Sequence, residues 1–310
     1  MISVQEMMRT WFLSALLLAG AAAANATSIG TLYGGNGGHT PSINDGALIT
    51  IDQNTGAPTL VGTPAGVARL TGLAFDSSGN LWGSTQTGGG FPPPPPVLTS
   101  DLIRINPATG ALINDVGTIR ESSTSGPALS IADLTLQPGT GALYGVDGPN
   151  DGLGLQGDLF TINPSTGVAT LVGNTGYFFA SIAFGPDGTL YLTGADFAGA
   201  GPINPVLATI NPSTGAVLTH VSTTDFFGGL GVRSDGTIFG STGDTAQIFT
   251  LSTSGAETLV GSTGQNFVGD LAFAPVPEPG TLALLLCGGV AVLGGRFMTG
   301  RRRRRRIPAN

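Results

Sequence analysis

The chain has very little of the side-chain chemistry that most enzymes use at their active sites. Its 310 residues include no lysine, two histidines and one cysteine, and only 10% of them are charged. The single cysteine, Cys287, lies in an apolar C-terminal segment, so the body of the protein has no disulfide to stabilise it. His39 and His220 fall in different repeats of the sequence, and we therefore expect solvated loop or edge histidines rather than a shared site.

Three motifs of common enzyme classes are also absent: the G-x-S-x-G nucleophile elbow, the H-E-x-x-H zinc motif and the G-x-x-x-x-G-K-[ST] phosphate loop. Basic residues are scarce outside the C-terminus, because seven of the twelve arginines lie at Arg296 and beyond. Residues 27–275 carry 17 acidic side chains against four arginines, a net charge of −13. A surface of this charge repels nucleic acid and anionic lipid, and it favours cations, basic partners or neutral glycans.

What the sequence has in abundance is glycine and short apolar runs. The 51 glycines and 21 prolines could indicate disorder, but 41% of the residues are apolar and they recur in regular runs. Residues 158–193 contain three or four such runs, separated by turn residues at the spacing of an antiparallel sheet. The rest of residues 29–275 consists of further copies of this unit, so we predict an all-β body.

We name the four strands of each repeat a to d. Strand a ends in an apolar core and is followed by a glycine-containing turn, and strand b opens with an apolar residue and an aromatic residue. Strand c is joined to strand d by Asn-Pro-Ser-Thr-Gly at residues 163–167, or by a related sequence in the other repeats. In this connection the proline presets the φ angle of a type I turn, the asparagine caps it and the glycine takes the left-handed position.

Counting the strands predicts a closed ring. The repeats open on strand b at Leu32, continue through four complete a-to-d sets and end on a lone strand a at residues 271–273. Strand b begins at residues 32, 81, 143, 190 and 238, in blade-sized steps of 49, 62, 47 and 48 residues. We predict a five-bladed β-propeller of four-stranded blades, about 20 strands in all, in which the C-terminal strand closes the first blade. A two-sheet sandwich is the alternative, but it would not ordinarily keep one period.

The repeats resemble the degenerate propeller repeats of exported bacterial proteins that are broadly similar to NHL, YncE-like and SMP-30-like propellers. The resemblance covers residues 29–275 and rests on the short turn and aromatic motifs described above. It implies the fold far more than it implies an activity.

The first 26 residues have the pattern of a secretory signal peptide. Arg9 precedes an apolar run at residues 11–24, and the tripeptides 22–24 and 24–26 both fit the A-x-A cleavage pattern. A permanent N-terminal membrane helix is the alternative, but the run is short for a span and ends in cleavage-like tripeptides. We expect export through the inner membrane, with a mature chain that begins near Thr27 and a propeller domain at residues 27–275.

Residues 276–310 resemble the PEP-CTERM sorting signal. Pro277, Glu278 and Pro279 precede an apolar stretch at residues 281–295, and a basic end follows that consists of Arg296, Arg301, Arg302, Arg303, Arg304, Arg305 and Arg306. In the PEP-CTERM family this signal is recognised by an exosortase, a membrane-embedded processing enzyme of Gram-negative bacteria that typically make extracellular polysaccharide. The resemblance implies a transmembrane sorting helix held transiently in the inner membrane with its arginines cytoplasmic, and release at the cell surface after processing.

This C-terminal segment has two alternative interpretations. An ordinary tail anchor without processing is the first alternative. An arginine block that binds nucleic acid is the second, and the apolar segment directly before the block disfavours it.

Carboxylates are the remaining candidates for a functional site. In a propeller the b–c and d–a loops meet at one mouth of the central channel, where such folds usually bind ligands. The residues that open strand a are Gly72, Asp133, Ser181, Gly229 and Asp270. Asp133 and Asp270 are therefore candidate metal ligands, and oxygen donors alone suit Ca²⁺ better than Zn²⁺. The b–c loops add aspartates that are more often turn formers: Asp45, Asp101, Asp147, Asp151, Asp158, Asp196 and Asp244.

Two classes of function stay open on the sequence. The first is a non-enzymatic surface or matrix protein, linked to exopolysaccharide or biofilm, whose acidic propeller face binds a glycan, a protein or a cation. The second is a metal-dependent hydrolase of the lactonase kind, because SMP-30-like lactonases use a metal at this mouth. Their pattern needs a glutamate and asparagines that this sequence does not match, since Glu121 and Glu257 do not open a strand a. The absence of a nucleophile paired with a base favours the first class.

Overall fold

The computed structural model of the protein describes residues 30–37, 45–86, 98–148, 157–196, 204–243, 245–265 and 267–276. The predicted signal peptide at residues 1–26 and the sorting signal from Pro277 onward lie outside these ranges. Every regular element within the ranges is a β-strand, and they contain no helix long and apolar enough to cross a membrane. Gly30–Pro275 forms one compact unit.

The strands of the described ranges are short and follow one another along the whole unit. In chain order they are β1 (Leu32–Gly35), β2 (Leu48–Ile51), β3 (Pro58–Gly62), β4 (Leu70–Phe75), β5 (Leu81–Thr85), β6 (Asp101–Ile105), β7 (Leu112–Thr118), β8 (Arg120–Glu121), β9 (Ile131–Leu136), β10 (Leu143–Asp147), β11 (Asp158–Ile162), β12 (Val168–Asn174), β13 (Phe178–Phe184), β14 (Leu190–Asp196), β15 (Asn204–Ile210), β16 (Val217–Ser222), β17 (Phe227–Val232), β18 (Ile238–Thr242), β19 (Gln247–Leu251), β20 (Glu257–Ser262) and β21 (Asp270–Phe273).

These strands form five sheets arranged around a central channel. From the channel outward their orders are β21-β1-β2-β3, β4-β5-β6-β7, β9-β10-β11-β12 with β8 outside, β13-β14-β15-β16 and β17-β18-β19-β20. We number these sheets as blades 1 to 5. The innermost strands contact one another in a closed ring, from β21 to β4, β9, β13, β17 and back to β21. The predicted five-bladed propeller of four-stranded blades is confirmed, and the sandwich alternative is wrong.

The ring closes because the last described strand completes the first blade. β21 pairs antiparallel with β1, and Leu32 lies opposite Phe273 while Gly34 lies opposite Leu271. The first repeat lacks a strand a of its own, and the chain end supplies it. This pairing removes the open inner edge that β1 would otherwise present.

The strand count differs from the prediction by one short strand. β8 belongs to the connection between blades 2 and 3, and it pairs parallel with β12, with Arg120 opposite Val168 and Glu121 opposite Ala169. A two-residue strand has no apolar period that a sequence pattern could detect, and its partner lies in the next repeat. β8 covers part of the outer edge of blade 3.

The apolar core is divided into five clusters, each of them between two neighbouring blades. Side chains alternate along a strand, so every blade contributes residues to the interfaces on both of its sides. The aromatic residue of strand b packs against the last residue of strand a in the next blade. Three of these contacts are ring pairs with centroids 5.1 to 5.4 Å apart, namely Tyr33–Phe75, Tyr144–Phe184 and Phe239–Phe273. The aromatic residue of each repeat is thus an anchor of one blade interface.

The c–d turns have the geometry that their residues predict. In blade 3, Asn163 Oδ1 accepts a hydrogen bond from Ser165 N at 2.9 Å, and Gly167 N donates to Asn163 O at 2.9 Å. Gly167 has a φ of +69°, a left-handed conformation that glycine adopts without strain. The turn therefore returns the chain to strand d at each repeat.

The glycine that ends the Thr-Leu-Val-Gly motif of strand d has a different role, which is to let blades approach each other. A Cβ on Gly173 in blade 3 would lie 2.1 Å from Thr214 O in the c–d turn of blade 4. The same contact recurs at Gly62 and Gly261, where the distances to the facing carbonyl would be 2.2 and 1.9 Å. These strands have no room for a larger residue at this position.

Candidate functional site

Asp133 and Asp270, the two candidate metal ligands, meet inside the central channel. Both have 0% of their surface exposed, and their carboxyl groups are hydrogen-bonded to each other. Asp133 lies on the inner strand of blade 3 and Asp270 on that of blade 1, so the bond joins two blades that are not neighbours. The repeat pattern predicts these residues at the channel mouth, whereas in the structure both are fully buried.

The Asp133 carboxyl group accepts hydrogen bonds from its own blade and from the next one. Leu134 N donates to Oδ1 at 2.6 Å, and Ile182 N donates to Oδ2 at 2.7 Å. The hydroxyl group of Ser181 in blade 4 donates to Oδ2 as well. The carboxyl oxygens of Asp133 are therefore surrounded by hydrogen-bond donors.

Asp270 has an equivalent set of partners in the next pair of blades. Leu271 N donates to Oδ1 at 2.5 Å, and Leu73 N in blade 2 donates to Oδ2. Together the two side chains connect the inner strands of blades 1, 2, 3 and 4. The pair is a polar connection between blades at the centre of the propeller.

Glycines at the equivalent positions of two other blades make room for this pair. A Cβ on Gly72 would lie 2.7 Å from Leu134 N, and one on Gly229 would lie 2.9 Å from Asp270 N. Real Cβ atoms are essentially never found so close to backbone atoms, so only glycine fits at these two positions of the inner strands. The two glycines therefore leave room at the narrow centre of the propeller for the two carboxyl groups.

Burial controls the protonation of the pair. It raises the pKa of Asp133 to about 7, although hydrogen bonds from Asp270, Ser181 and the backbone oppose the shift. Burial also raises the pKa of Asp270 well above its ordinary value, and the charge of Asp133 adds to this effect. A buried pair of carboxyl groups holds a shared proton because two like charges at this distance repel each other.

The surroundings of the pair do not fit a calcium ion. Ca²⁺ takes six to eight oxygen ligands, whereas the oxygens of Asp133 and Asp270 face N–H and O–H donors whose positive ends would repel a cation. The described ranges contain no group of three or more His, Cys, Asp or Glu side chains that could hold a metal. Ca²⁺ at these residues stays a prediction of the sequence, and a solution experiment for it is given in the Discussion.

Three of the b–c loop aspartates hold local structure. Asp101 accepts from the Thr118 hydroxyl at 2.8 Å, Asp158 accepts from Asn174 Nδ2 at 2.6 Å, and Asp147 accepts from Gly157 N at 2.9 Å. Asp151 and Asp244 lie outside the described ranges. His220 is exposed on the outer strand β16, far along the blade from the channel.

A second set of equivalent residues lies three positions before the channel residues, toward the d–a loops. We call it the mouth ring, and its members are Arg69, Ser130, Phe178, Phe226 and Phe267. Blades 4, 5 and 1 contribute the three phenylalanines, which like Arg69 are partly exposed, while Ser130 is buried. Sequence reasoning missed this ring because it considered only the residues that open strand a. Comparing the repeats three residues earlier would have revealed the run of aromatic residues.

Phe267 is held against glycines from three segments. A Cβ on Gly243 would lie 2.5 Å from Cε2 of Phe267, one on Gly269 would lie 2.7 Å from Cε1, and one on Gly37 would lie 3.2 Å from Cδ1. The backbone of blades 5 and 1 therefore packs directly on the aromatic ring. The ring is nevertheless partly exposed, so this part of the mouth presents an aromatic surface on a glycine base.

The other side of the mouth ring is polar. Arg69 Nη1 donates to Gln86 Oε1 at 3.3 Å, and Gln86 Nε2 donates to Ser130 Oγ at 3.3 Å. Gln86 N also donates to Arg69 O at 3.2 Å, which fixes the amide beside the guanidinium group. In the described part of the chain the one ion pair joins Arg233 to Asp235, so Arg69 is a cation without a carboxylate partner there. The mouth thus combines three aromatic rings with a chain of hydrogen-bond donors.

Comparisons with known proteins give a likeness of fold only. No family model matches the chain, and no curated protein matches it. Similar solved structures include a gluconolactonase from Xanthomonas campestris, with 16% identity over 81% of this chain and 84% of that one, and a TM-score of 0.44. The PQQ-bound aldose sugar dehydrogenase from Streptomyces coelicolor has 12% identity over 74% and 79% of the two chains, with a TM-score of 0.45. TolB from Acinetobacter baumannii has 14% identity over 84% and 71%, with a TM-score of 0.43. No activity is transferred to this chain from such distant structures.

Proposed function

We propose that the protein is an exported, surface- or matrix-associated β-propeller that binds or organises extracellular material, in connection with exopolysaccharide or biofilm, rather than catalysing a reaction. In this proposal residues 1–26 direct export, and an exosortase-type enzyme processes the chain near Pro277, Glu278 and Pro279. Arg296 and the block Arg301–Arg306 stay on the cytoplasmic side of the inner membrane until processing releases the propeller.

The observation that carries the proposal is where the chain enters and leaves the propeller. Ala274 N donates to Thr31 O at 2.9 Å, so the two ends of the folded unit are adjacent. Both ends lie on the face formed by the a–b and c–d turns, because β1 runs away from that face and β21 runs toward it. The mouth ring lies at the d–a loops, on the opposite face of the propeller.

The chemistry of the mouth supports binding over turnover. Its polar groups are the partly exposed Arg69 guanidinium and Gln86 amide, and the amide is held in place by its bond to the buried Ser130 hydroxyl group. Below the ring, the carboxyl pair of Asp133 and Asp270 fills the channel. A lactonase of the metal-dependent kind would need a metal at this level, and the donors around the two carboxyl groups argue against one.

Export and processing are tested on the full chain in a Gram-negative host that has the sorting enzyme. We expect intact mass spectrometry of the cell-surface fraction to find a species that lacks residues 1–26 and the arginine block. The matched control replaces Pro277, Glu278 and Pro279 by alanine, which we expect to leave the protein in the inner membrane. A surface species that retains Arg301–Arg306, or a chain confined to the cytoplasm, would overturn the proposal.

A further inference from the structure

We propose that the propeller forms a two-fold dimer in which β16, the outer strand of blade 4, pairs antiparallel with β16 of a second copy of the chain. The inference goes beyond the proposed function and concerns a different surface from the mouth ring. It is carried by a comparison of the outer edges of the five blades, because four of them have a feature that opposes pairing with another chain and β16 has none of these features.

The four protected edges each have a different device. β3 begins with Pro58, which has no N–H group to offer to a partner strand. β7 carries the exposed carboxylate of Asp115, and β20 begins with the carboxylate of Glu257. The outer edge of blade 3 is covered in part by β8. Proline, charge and a covering segment are the usual means by which proteins prevent edge-to-edge association.

The side chains of β16 include none of these devices. The strand consists of Val217–Ser222 and contains no proline, arginine or carboxylate. It lies at the outer edge of its sheet, and Val217 and Leu218 have 37% and 61% of their surface exposed. An exposed edge strand that is apolar and uncharged is a template for pairing with another strand.

The backbone of β16 is also more regular than that of the other outer strands. In those four strands an extra residue interrupts the pairing with strand c at the same point of the repeat, namely Val61, Val116, Val172 and Val260. Blade 4 has no interruption there, and residues 219–222 lie opposite residues 206–209 in unbroken register. The irregularity of β16 lies at Leu218, near its start. Because bulges twist an edge and disturb its ladder, residues 219–222 are a better template than the other edges.

The hydrogen-bonding groups in the middle of this segment point away from the blade. Thr223 N donates to Pro205 O at 3.0 Å, so Thr223 and Pro205 are a hydrogen-bonded pair. Such pairs alternate along an antiparallel ladder, so His220 and Ala208, which lie opposite each other, are a non-hydrogen-bonded pair. The N–H and C=O groups of His220 therefore face outward, where no other strand of the described ranges pairs with β16. Two copies related by a two-fold axis at His220 exchange both of these bonds.

The chemistry of the edge selects a second copy of the same strand as the partner. Pairing through backbone hydrogen bonds requires an extended segment with a free edge of its own. Residues 27–275 have a net charge of −13, so two copies repel each other least where the facing surfaces carry no charge. In a two-fold dimer the same patch serves both partners, and β16 meets the uncharged edge that it needs.

The dimer is expected to be weak. A contact through one short strand belongs to the small interfaces, which bury less than about 1,200 Å² in total and are typical of transient association. Dilute protein is therefore monomeric, and the dimer forms where copies are concentrated. Crowding of the protein at a surface or in a matrix would supply that condition.

The first test is disulfide cross-linking of the full chain in mild detergent. Cys287→Ser removes the natural thiol, and His220→Cys places a new thiol at the two-fold axis. Opposite residues of a hydrogen-bonded antiparallel pair have Cα atoms about 5.5 Å apart, which is within the range of a disulfide. We expect covalent dimers on non-reducing gels of concentrated protein. Leu60→Cys, at the corresponding position of β3, is the matched control and should give few.

The second test is sedimentation velocity of the full chain in the same detergent over a range of concentrations. His220→Pro removes the outward N–H group and leaves the bonds of β16 to β15, and His220→Lys places two like charges at the axis. Each should weaken dimerisation by about tenfold or more, because both copies lose a bond or gain a repulsion, while the melting temperature stays within a few degrees of the wild type. Leu60→Lys is the matched control and should dimerise like the wild type.

Three outcomes would overturn the inference: a wild type that is monomeric at every concentration, equal cross-linking from His220→Cys and Leu60→Cys, or unchanged dimerisation of both His220 variants. A dimer that depends on the C-terminal segment instead of β16 would give the last two results. Export and processing are measured separately, so failure of the dimer would leave the proposed function standing, and a chain that is never exported could still form the dimer.

Discussion

The side chains of Asp133 and Asp270 share a hydrogen bond across the central channel, between blades 3 and 1. Such a bond exists only while at least one of the two carboxyl groups is protonated, because ionised carboxylates have no proton to donate. Asp270 lies on β21, the strand that closes the ring. The protonation of this pair and the closure of the propeller are therefore coupled.

We expect the stability of the full chain to fall as the pH rises from about 4 to above 7. Burial raises the pKa of Asp133 to about 7, whereas an aspartate in an unfolded chain has a pKa of about 3.9. The stabilising contribution is fully present below the unfolded pKa, and it is lost as the pH rises through the folded pKa. Burial also raises the pKa of Asp270, so this residue contributes to the loss in the same direction. Thermal melting in mild detergent between pH 4 and pH 9 measures this slope.

Asp133→Asn tests whether the pair causes that slope. The amide can donate to Asp270 and its oxygen can still accept from Ile182 N, so one titrating group is removed at the cost of the bond from Leu134 N. We expect a higher melting temperature than the wild type at pH 8 and a smaller difference at pH 5. The matched control is Asp52→Asn in an exposed turn, where hydrogen bonding from Asn54 N lowers the pKa of Asp52, so no gain at pH 8 is expected. A wild-type melting temperature that is constant from pH 4 to pH 9 would contradict the raised pKa values.

Calcium is expected to leave the melting temperature unchanged at millimolar concentration. The reason is the ring of donors around the two carboxyl groups, among them Ile182 N and Leu134 N. A ligand that bound the native state alone at a hundred times its Kd would stabilise it by about 2.7 kcal/mol, which melting would detect easily. Melting with and without calcium should be measured at pH 8, where the carboxyl groups are more ionised than at acidic pH. A calcium-dependent rise that Asp133→Asn with Asp270→Asn abolishes would support the metal site and the lactonase alternative.

The parts of the fold that were predictable from the sequence are those encoded within one repeat or by the order of repeats. The turn at Asn163 and Gly167 is specified by five consecutive residues, and the closure by β21 follows from an unpaired start and an unpaired end. Both depend on local chemistry or on counting. The signal peptide at residues 1–26 and the sorting signal from Pro277 onward lie outside the described ranges, so export and processing stay predictions.

The parts that were not predictable depend on contacts between blades. Nothing in one repeat indicates that Asp133 bonds to Asp270, because the contact needs glycine at positions 72 and 229 to bring the inner strands close. The mouth ring was not predicted for a similar reason, since the packing of Phe267 depends on glycines in three separate segments. β8 depends on a pairing between Arg120 and Val168 in different repeats.

Deleting residues 269–275 is expected to make the protein aggregate. The deletion removes β21, so β1 becomes an exposed inner edge with unpaired N–H and C=O groups, and Leu32 and Tyr33 lose the partners Phe273 and Ala272. Size-exclusion chromatography with light scattering detects the change. Asp270→Asn keeps β21 and should stay monomeric, which separates loss of the strand from loss of the carboxyl group. A deletion variant that remains monomeric with an unchanged melting temperature would contradict closure by β21.

Gly173 lies so close to the next blade that we expect any larger residue at this position to destabilise the protein. Alanine at this position would put its Cβ 2.1 Å from Thr214 O, and the blades can separate only by giving up packing along their whole interface. We expect Gly173→Ala to lower the free energy of unfolding by about 1 to 3 kcal/mol, the usual cost of overpacking. Leu171→Ala lies two residues away on the same strand, where Leu171 is 48% exposed, and should change stability by less than about 0.5 kcal/mol. Urea unfolding compares the two variants, and equal stabilities would mean that the blades are not held together through this glycine.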